Sequence, residues 1–259
     1  MKRQPLPWLN FAATLITLLI TLLAWAWPTA DSQTGVRFLA GLRGYFPAGY
    51  VFSLWGVIGL GLLAFSFYQL LNPQRCARAL QRLSYLYVLS CLAESAWVLL
   101  WRAGHYGLAL SALLVLLASL IGIYLRLGVN LRPVSASERL HTHLVFSLYL
   151  GWITVITLTH ASFVLIAKQW GGWSLPAETW AVILIIVTVA LATIVTLTRH
   201  DLAYLAVQAW AMSGIGIAQR QTPLIAGSAW AATAIIGLLM VLAMLLRRAY
   251  TVERFVSER

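Results

Sequence analysis

Eight apolar runs dominate the chain, near 8–27, 48–71, 83–101, 107–127, 144–167, 178–198, 202–218 and 223–246, each 17 to 24 residues long. About 20 mostly apolar residues carry an α-helix across the hydrocarbon of a bilayer, and shorter core elements do not recur at this length. A water-soluble fold cannot hide so many of them. Of the 259 residues, 61% are hydrophobic and 10% charged, which leaves too little polar chain to cover one core. The same balance excludes a disordered chain, and two cysteines exclude a disulfide scaffold. Cys76 falls in a basic loop and Cys91 in an apolar run, so neither points to an oxidising compartment. The expected fold is all-α: a polytopic integral membrane bundle of about eight transmembrane helices.

The 18 basic residues orient such a bundle rather than bind nucleic acid, because they sit in short clusters between apolar runs. With eight spans and an inside N-terminus, the inside segments hold Lys2, Arg3, Arg75, Arg78, Arg82, Arg126, Arg132, Arg139, Arg199, Arg247, Arg248, Arg254 and Arg259, which is 13. The outside segments hold five: Arg37, Arg43, Arg102, Lys168 and Arg220. The seventh run, opened by Asp201 and closed by Gln219, is the shortest and most polar and has an alternative place flat at the interface. If it did not cross, the C-terminal arginines would move outside and the bias would collapse. Eight spans with both termini cytoplasmic is therefore the expected topology. Met1-Lys-Arg with the run ending Ala24-Trp-Ala26 also has the outline of a cleaved signal. The run is long for that, and Trp25, Trp27 and Pro28 read as an interfacial edge, but charge counting gives the same result either way.

Ionisable side chains at membrane depth are expensive, and two stand out, Glu94 in the third run and His160 in the fifth. Cys91 and Trp97 lie three residues to either side of Glu94, and Tyr149, Trp152, Ile156, His160 and Phe163 follow steps of three and four, so each set shares one helix face. Phe52 and Trp55 pair likewise in the second run, where Gly56, Gly59 and Gly61 would let helices approach closely. Such stripes also serve plain packing. The acid is harder to dismiss, because no Lys or Arg lies at the centre of a run to pair with it. A Glu94–His160 contact, direct or through a ligand, is the expectation.

Other signals carry less. Leu120 to Arg126, with Tyr124, fits a loose sterol-contact pattern, though an interfacial helix end explains it as well. His141 and His143 are close in sequence without a third ligand, in what reads as a loop spanning 128–142. The motifs of phosphate loops, zinc helices and nucleophile elbows are missing. Lys2 and Lys168 are the only lysines, so no membrane-centre amine exists for a retinal Schiff base.

Phe46-Pro-Ala-Gly49-Tyr-Val-Phe52-Ser-Leu-Trp55 resembles the P-x-G-x-V-F-x-x-x-W segment of the tryptophan-rich sensory protein family, the TspO/MBR or translocator-protein group. Trp97 with Trp101, and Tyr149 with Trp152, resemble that family's third- and fifth-helix segments, in the same order. The resemblance implies a five-helix unit over 1–169 and a three-helix membrane extension over 170–259, as in longer bacterial members. It implies a ligand cavity bordered by Trp55, Trp97, Tyr149 and Trp152, and ligands such as porphyrin, haem or sterols. Where the family commonly shows Asn, this chain has Glu94 and His160, which puts the ligand's identity in doubt. His160 is a conceivable axial ligand to haem iron.

The expected function is thus a non-enzymatic receptor or carrier in the bacterial inner membrane, binding a flat hydrophobic ligand, a tetrapyrrole first, with a sensory or regulatory role. The site would comprise Phe52, Trp55, Cys91, Glu94, Trp97, Tyr149, Trp152, Ile156 and His160. The alternative is a proton-coupled transporter of a hydrophobic small molecule that uses Glu94. No obligatory cofactor or metal is expected. Lipids and the ligand are the expected partners, with a second copy of the chain as a further candidate.

Overall fold

The computed structural model describes residues 6–26, 44–71, 81–83, 85–167 and 175–257, and no strand occurs among them. The basic loop with Cys76 and the interfacial Trp27, Trp170 and Trp173 lie outside the described residues. Eight long helices are described: α1 (Leu6–Ala26), α2 (Leu54–Leu71), α3 (Leu86–Arg102), α4 (Tyr106–Leu127), α5 (Leu144–Ala167), α6 (Ala177–Arg199), α7 (Leu202–Ala218) and α8 (Pro223–Ser257). Six of them are long and apolar enough to cross a membrane, while α3 and α7 are 17 residues each. The protein is a multi-pass helical membrane protein.

The distribution of polarity shows which solvent these helices face. In α1, Asn10, Thr14 and Thr17 are buried while Ile16, Leu19 and Leu22 point outward, Leu22 with 67% of its surface exposed. Leu60 on α2 and Leu238 on α8 are each 70% exposed. Water would reverse this arrangement, and hydrocarbon favours it, because amides and hydroxyls then bond inside the bundle. The short α7 follows the same rule. Trp210 and Ile217 face outward and Gln208 is fully buried, the opposite of a helix lying flat with its polar side in water.

The helices form two compact units, one holding α1–α5 and the other holding 44–52 with α6–α8. In the first unit α1 packs on α2 and α3, α4 on α3 and α5, and α2 on α5. Gly61 lets α2 lie close to α5, since a Cβ there would lie 3.2 Å from a methyl of Val145. Gly59 faces Leu18 in the same way, but Gly56 borders open space and brings no helix closer. The α3–α4 connection is a tight hairpin in which Gly104, at φ +76°, takes a left-handed conformation that other residues rarely adopt. His105 N–H bonds back to the Leu100 carbonyl and seals the turn.

The segment expected to be a loop over 128–142 is partly helical. Ser135 accepts a hydrogen bond from the Glu138 amide and starts a turn, Ala136–Glu138, which continues through a π-helical turn, Arg139–His143, into α5. His141 stacks on Tyr68 at 4.8 Å and His143 is buried, so neither is a solvated loop histidine. No group of three His, Cys, Asp or Glu residues suited to a metal occurs among the described residues.

In the second unit the 44–52 segment runs against α7. The Ala48 amide donates to the Gly214 carbonyl, and a Cβ on Gly214 would collide with Val51. Tyr45, fully buried, shares a 2.7 Å hydrogen bond with Thr188 of α6. Asp201 caps α7 by accepting from the Ala203 and Tyr204 amides.

Candidate functional site

Helices α3 and α5 each pack on α4 and run in the same direction, and their long side chains meet in matching order. Tyr149 and Trp152 rise one turn apart on α5, as Glu94 and Trp97 do on α3. The Tyr149 hydroxyl donates to Glu94 Oε2, and both residues are almost completely buried. One turn further along, Trp97 stacks on Trp55 at 5.7 Å between centroids, with only 18° between their planes. Trp152 meets Trp55 edge-on at 5.9 Å. Trp55 begins α2 and is half-buried, whereas Trp97 and Trp152 are buried. A wall of three indoles therefore stands next to a carboxyl–phenol pair. Offset and perpendicular contacts of this kind are the ones an aromatic quadrupole favours.

His160 does not join Glu94. Its Nδ1 accepts from the Trp97 indole N–H at 3.1 Å, which places its own proton on Nε2, and Nε2 donates to the Tyr106 carbonyl at 3.1 Å. The expected direct Glu94–His160 contact is therefore replaced by two separate pairs, Glu94 with Tyr149 and His160 with Trp97. The reason is register. His160 lies about three turns beyond Tyr149 on α5, and side chains of the shorter α3, Trp97 and Trp101, reach it there.

Around His160 a second aromatic group closes. Trp101 lies 4.6 Å from the His160 ring, 4.9 Å from Tyr106 and 5.0 Å from Phe163, and Tyr106 lies 4.8 Å from Phe163. Tyr106 was missing from the sequence-derived site, and only the Gly104 hairpin, which folds α4 back beside Trp101, brings it there. Ile156 and Cys91 are buried on the expected faces of α5 and α3. Phe52 departs from expectation. It falls in a 3-10 turn, Gly49–Ser53, ahead of α2, and belongs to the other compact unit, so it does not share a helix face with Trp55.

These features define a polytopic helical membrane protein whose first unit holds a buried aromatic wall beside one acid. The chain belongs to the TSPO-like protein family, whose model matches residues 7–242. That match runs from α1 into α8, so it covers α6, α7 and the first part of α8. No curated protein and no solved structure matches the chain. Membership makes this a membrane protein of ligand-binding or transport type.

The haem expectation can be tested against the side chains. An axial histidine needs a free ring nitrogen, and both nitrogens of His160 are engaged, one by an indole and one by a backbone carbonyl. His160 does not fit as an iron ligand.

Proposed function

We propose that the protein is a non-enzymatic receptor or carrier for a flat hydrophobic ligand, a tetrapyrrole bound without coordination of its metal by the protein, with a sensory or regulatory role. The observation that carries this reading is the indole wall of Trp55, Trp97 and Trp152 beside the Glu94–Tyr149 pair. Large aromatic faces supply stacking and apolar area, and one polar pair supplies orientation. Trp55 is the half-exposed member, so a flat ligand reaches the wall at its side. Among the described residues, no nucleophile with its base and orienting group accompanies the wall. The membrane is taken as the bacterial inner membrane with both termini cytoplasmic, following the basic-residue bias.

The test is a titration of the detergent-purified chain with protoporphyrin, haem and a sterol, read by tryptophan fluorescence. Saturable quenching by the tetrapyrroles, weakened in Trp152→Phe and Glu94→Gln, is expected. A linear response to all three compounds would remove the reading.

A further inference from the structure

Glu94 is the one acid inside a long helix of the first unit among the described residues, and its surroundings leave it incompletely matched. Tyr149 donates to its Oε2, while Oε1 has no hydrogen-bond partner among the described residues. With 2% of its surface exposed, the residue is cut off from bulk water. No cation serves it either. Arg82, Arg102, Arg126, Arg132 and Arg139 sit at helix ends or in connections, and none of the described residues forms an ion pair with Glu94. His160 is neutral, because its Nδ1 accepts the Trp97 N–H.

Neither protonation state makes the Glu94–Tyr149 pair self-sufficient. A neutral acid and a phenol carry two O–H protons but share one hydrogen bond, which leaves one buried donor unused. A carboxylate uses the phenol's proton and stays a buried charge without a countercharge, the most expensive kind of buried group. An incoming N–H⁺ removes both deficits at once, because it donates to Oε1 and balances the charge. We propose that the ligand of the indole wall is a flat aromatic cation, a singly charged heterocycle or aryl amine whose N–H⁺ pairs with Glu94 Oε1.

The proposal rests on the reading of the wall as a ligand site and adds the charge of what that site takes. A closed set of links ties the acid to the wall. Trp97 is one turn from Glu94 on α3, Trp152 is one turn from Tyr149 on α5, and Trp55 touches both indoles. The Tyr149–Glu94 hydrogen bond completes the loop. Residues three apart on a helix have Cβ atoms about 5–6 Å apart, so one ring system reaches both acid and indole. Indole faces are the best aromatic partners for a cation, and more so away from water. A bound metal ion needs several ligands, and no cluster of three His, Cys, Asp or Glu residues that could hold one occurs among the described residues. An anionic group would meet Glu94 with like charge. For a tetrapyrrole, the pyrrole nitrogens and not an acidic substituent would therefore face Glu94.

The test uses the full chain in phosphatidylcholine nanodiscs at neutral pH, with empty nanodiscs as the blank. Three flat three-ring probes are titrated against tryptophan fluorescence: 9-aminoacridine as the cation, 2-aminoanthracene as the neutral amine and anthracene-9-carboxylate as the anion. 9-Aminoacridine should saturate and bind about ten- to hundredfold tighter than 2-aminoanthracene, the range for one hydrogen bond to a charged group. Glu94→Gln should erase that preference by weakening the cation alone, whereas Trp152→Phe should weaken both amines. The comparison of probes in the parent chain decides the matter if Glu94→Gln does not fold. Equal affinity for the two amines, a preference that survives Glu94→Gln, or tighter binding of the anion would overturn the proposal and leave the wall as a ligand site. If no probe saturates, the proposal fails, and the protoporphyrin titration separately decides the reading of the wall.

Discussion

Replacing Tyr149 with Phe removes one oxygen from the centre of the first unit and leaves the ring in place. The hydroxyl is the hydrogen-bond donor to Glu94, and with 1% and 2% of their surfaces exposed neither residue can turn to solvent instead. Two scales bound the cost. Interhelical hydrogen bonds in membranes are worth about 0.6 kcal/mol on average and up to about 1.7. A buried acceptor left without its donor costs about 1–3 kcal/mol. Deep burial places this pair in the overlap, so Tyr149→Phe should destabilise by about 1.5 kcal/mol. Glu94→Gln should cost less than about 0.5 kcal/mol, because the amide oxygen still accepts from the phenol. In a double-mutant cycle with Glu94→Leu and Tyr149→Phe, the coupling should reach about 1 kcal/mol. Equilibrium unfolding in mixed detergent micelles, followed by helical circular dichroism, measures all four corners. Tyr149→Phe within about 0.3 kcal/mol of the parent, or a cycle that closes without coupling, would refute the pairing that holds α3 to α5.

Two more perturbations separate close packing and capping from composition. A Cβ at Gly61 would crowd Val145 while one at Gly56 meets nothing, so Gly61→Ala should lose about 1 kcal/mol to overpacking and Gly56→Ala should gain up to about 1 from helix propensity; the same unfolding assay reads the opposite signs. Asp201→Ala should cost about 1 kcal/mol by uncapping α7, with Asp201→Asn retaining most of the stability. Hydrogen exchange at the Ala203 and Tyr204 amides would localise that loss.

How much of this was legible in the sequence depended on whether a feature lived within one helix or between two. The spans were legible because each run carries its own hydropathy, and 202–218 coincides with α7. The faces that hold Glu94 with Trp97, and Tyr149 with Trp152, were legible because helical spacing fixes them. The partner of Glu94 was not, because the relative height of α3 and α5 decides whether the acid meets Tyr149 or His160, and no local spacing encodes that height. Tyr106 entered through the Gly104 hairpin and Phe52 left through a 3-10 turn, both consequences of backbone geometry at a junction. The threonine stripe of α1 is a different case. Asn10, Thr14 and Thr17 follow steps of four and three, the periodicity used for the aromatic residues, but small hydroxyls in an apolar run draw less notice than indoles.

That stripe changes the place of Glu94 in the unit. Taken with the indole wall alone, the acid is an orienting group at the edge of a ligand site. With the stripe included, it stands where two different interiors meet: hydroxyls and amides toward the Asn10 end, aromatic rings toward the Tyr106 end. An asparagine at this position could orient a ligand but could not exchange a proton, so Glu94 is the residue on which sensing and transport readings divide.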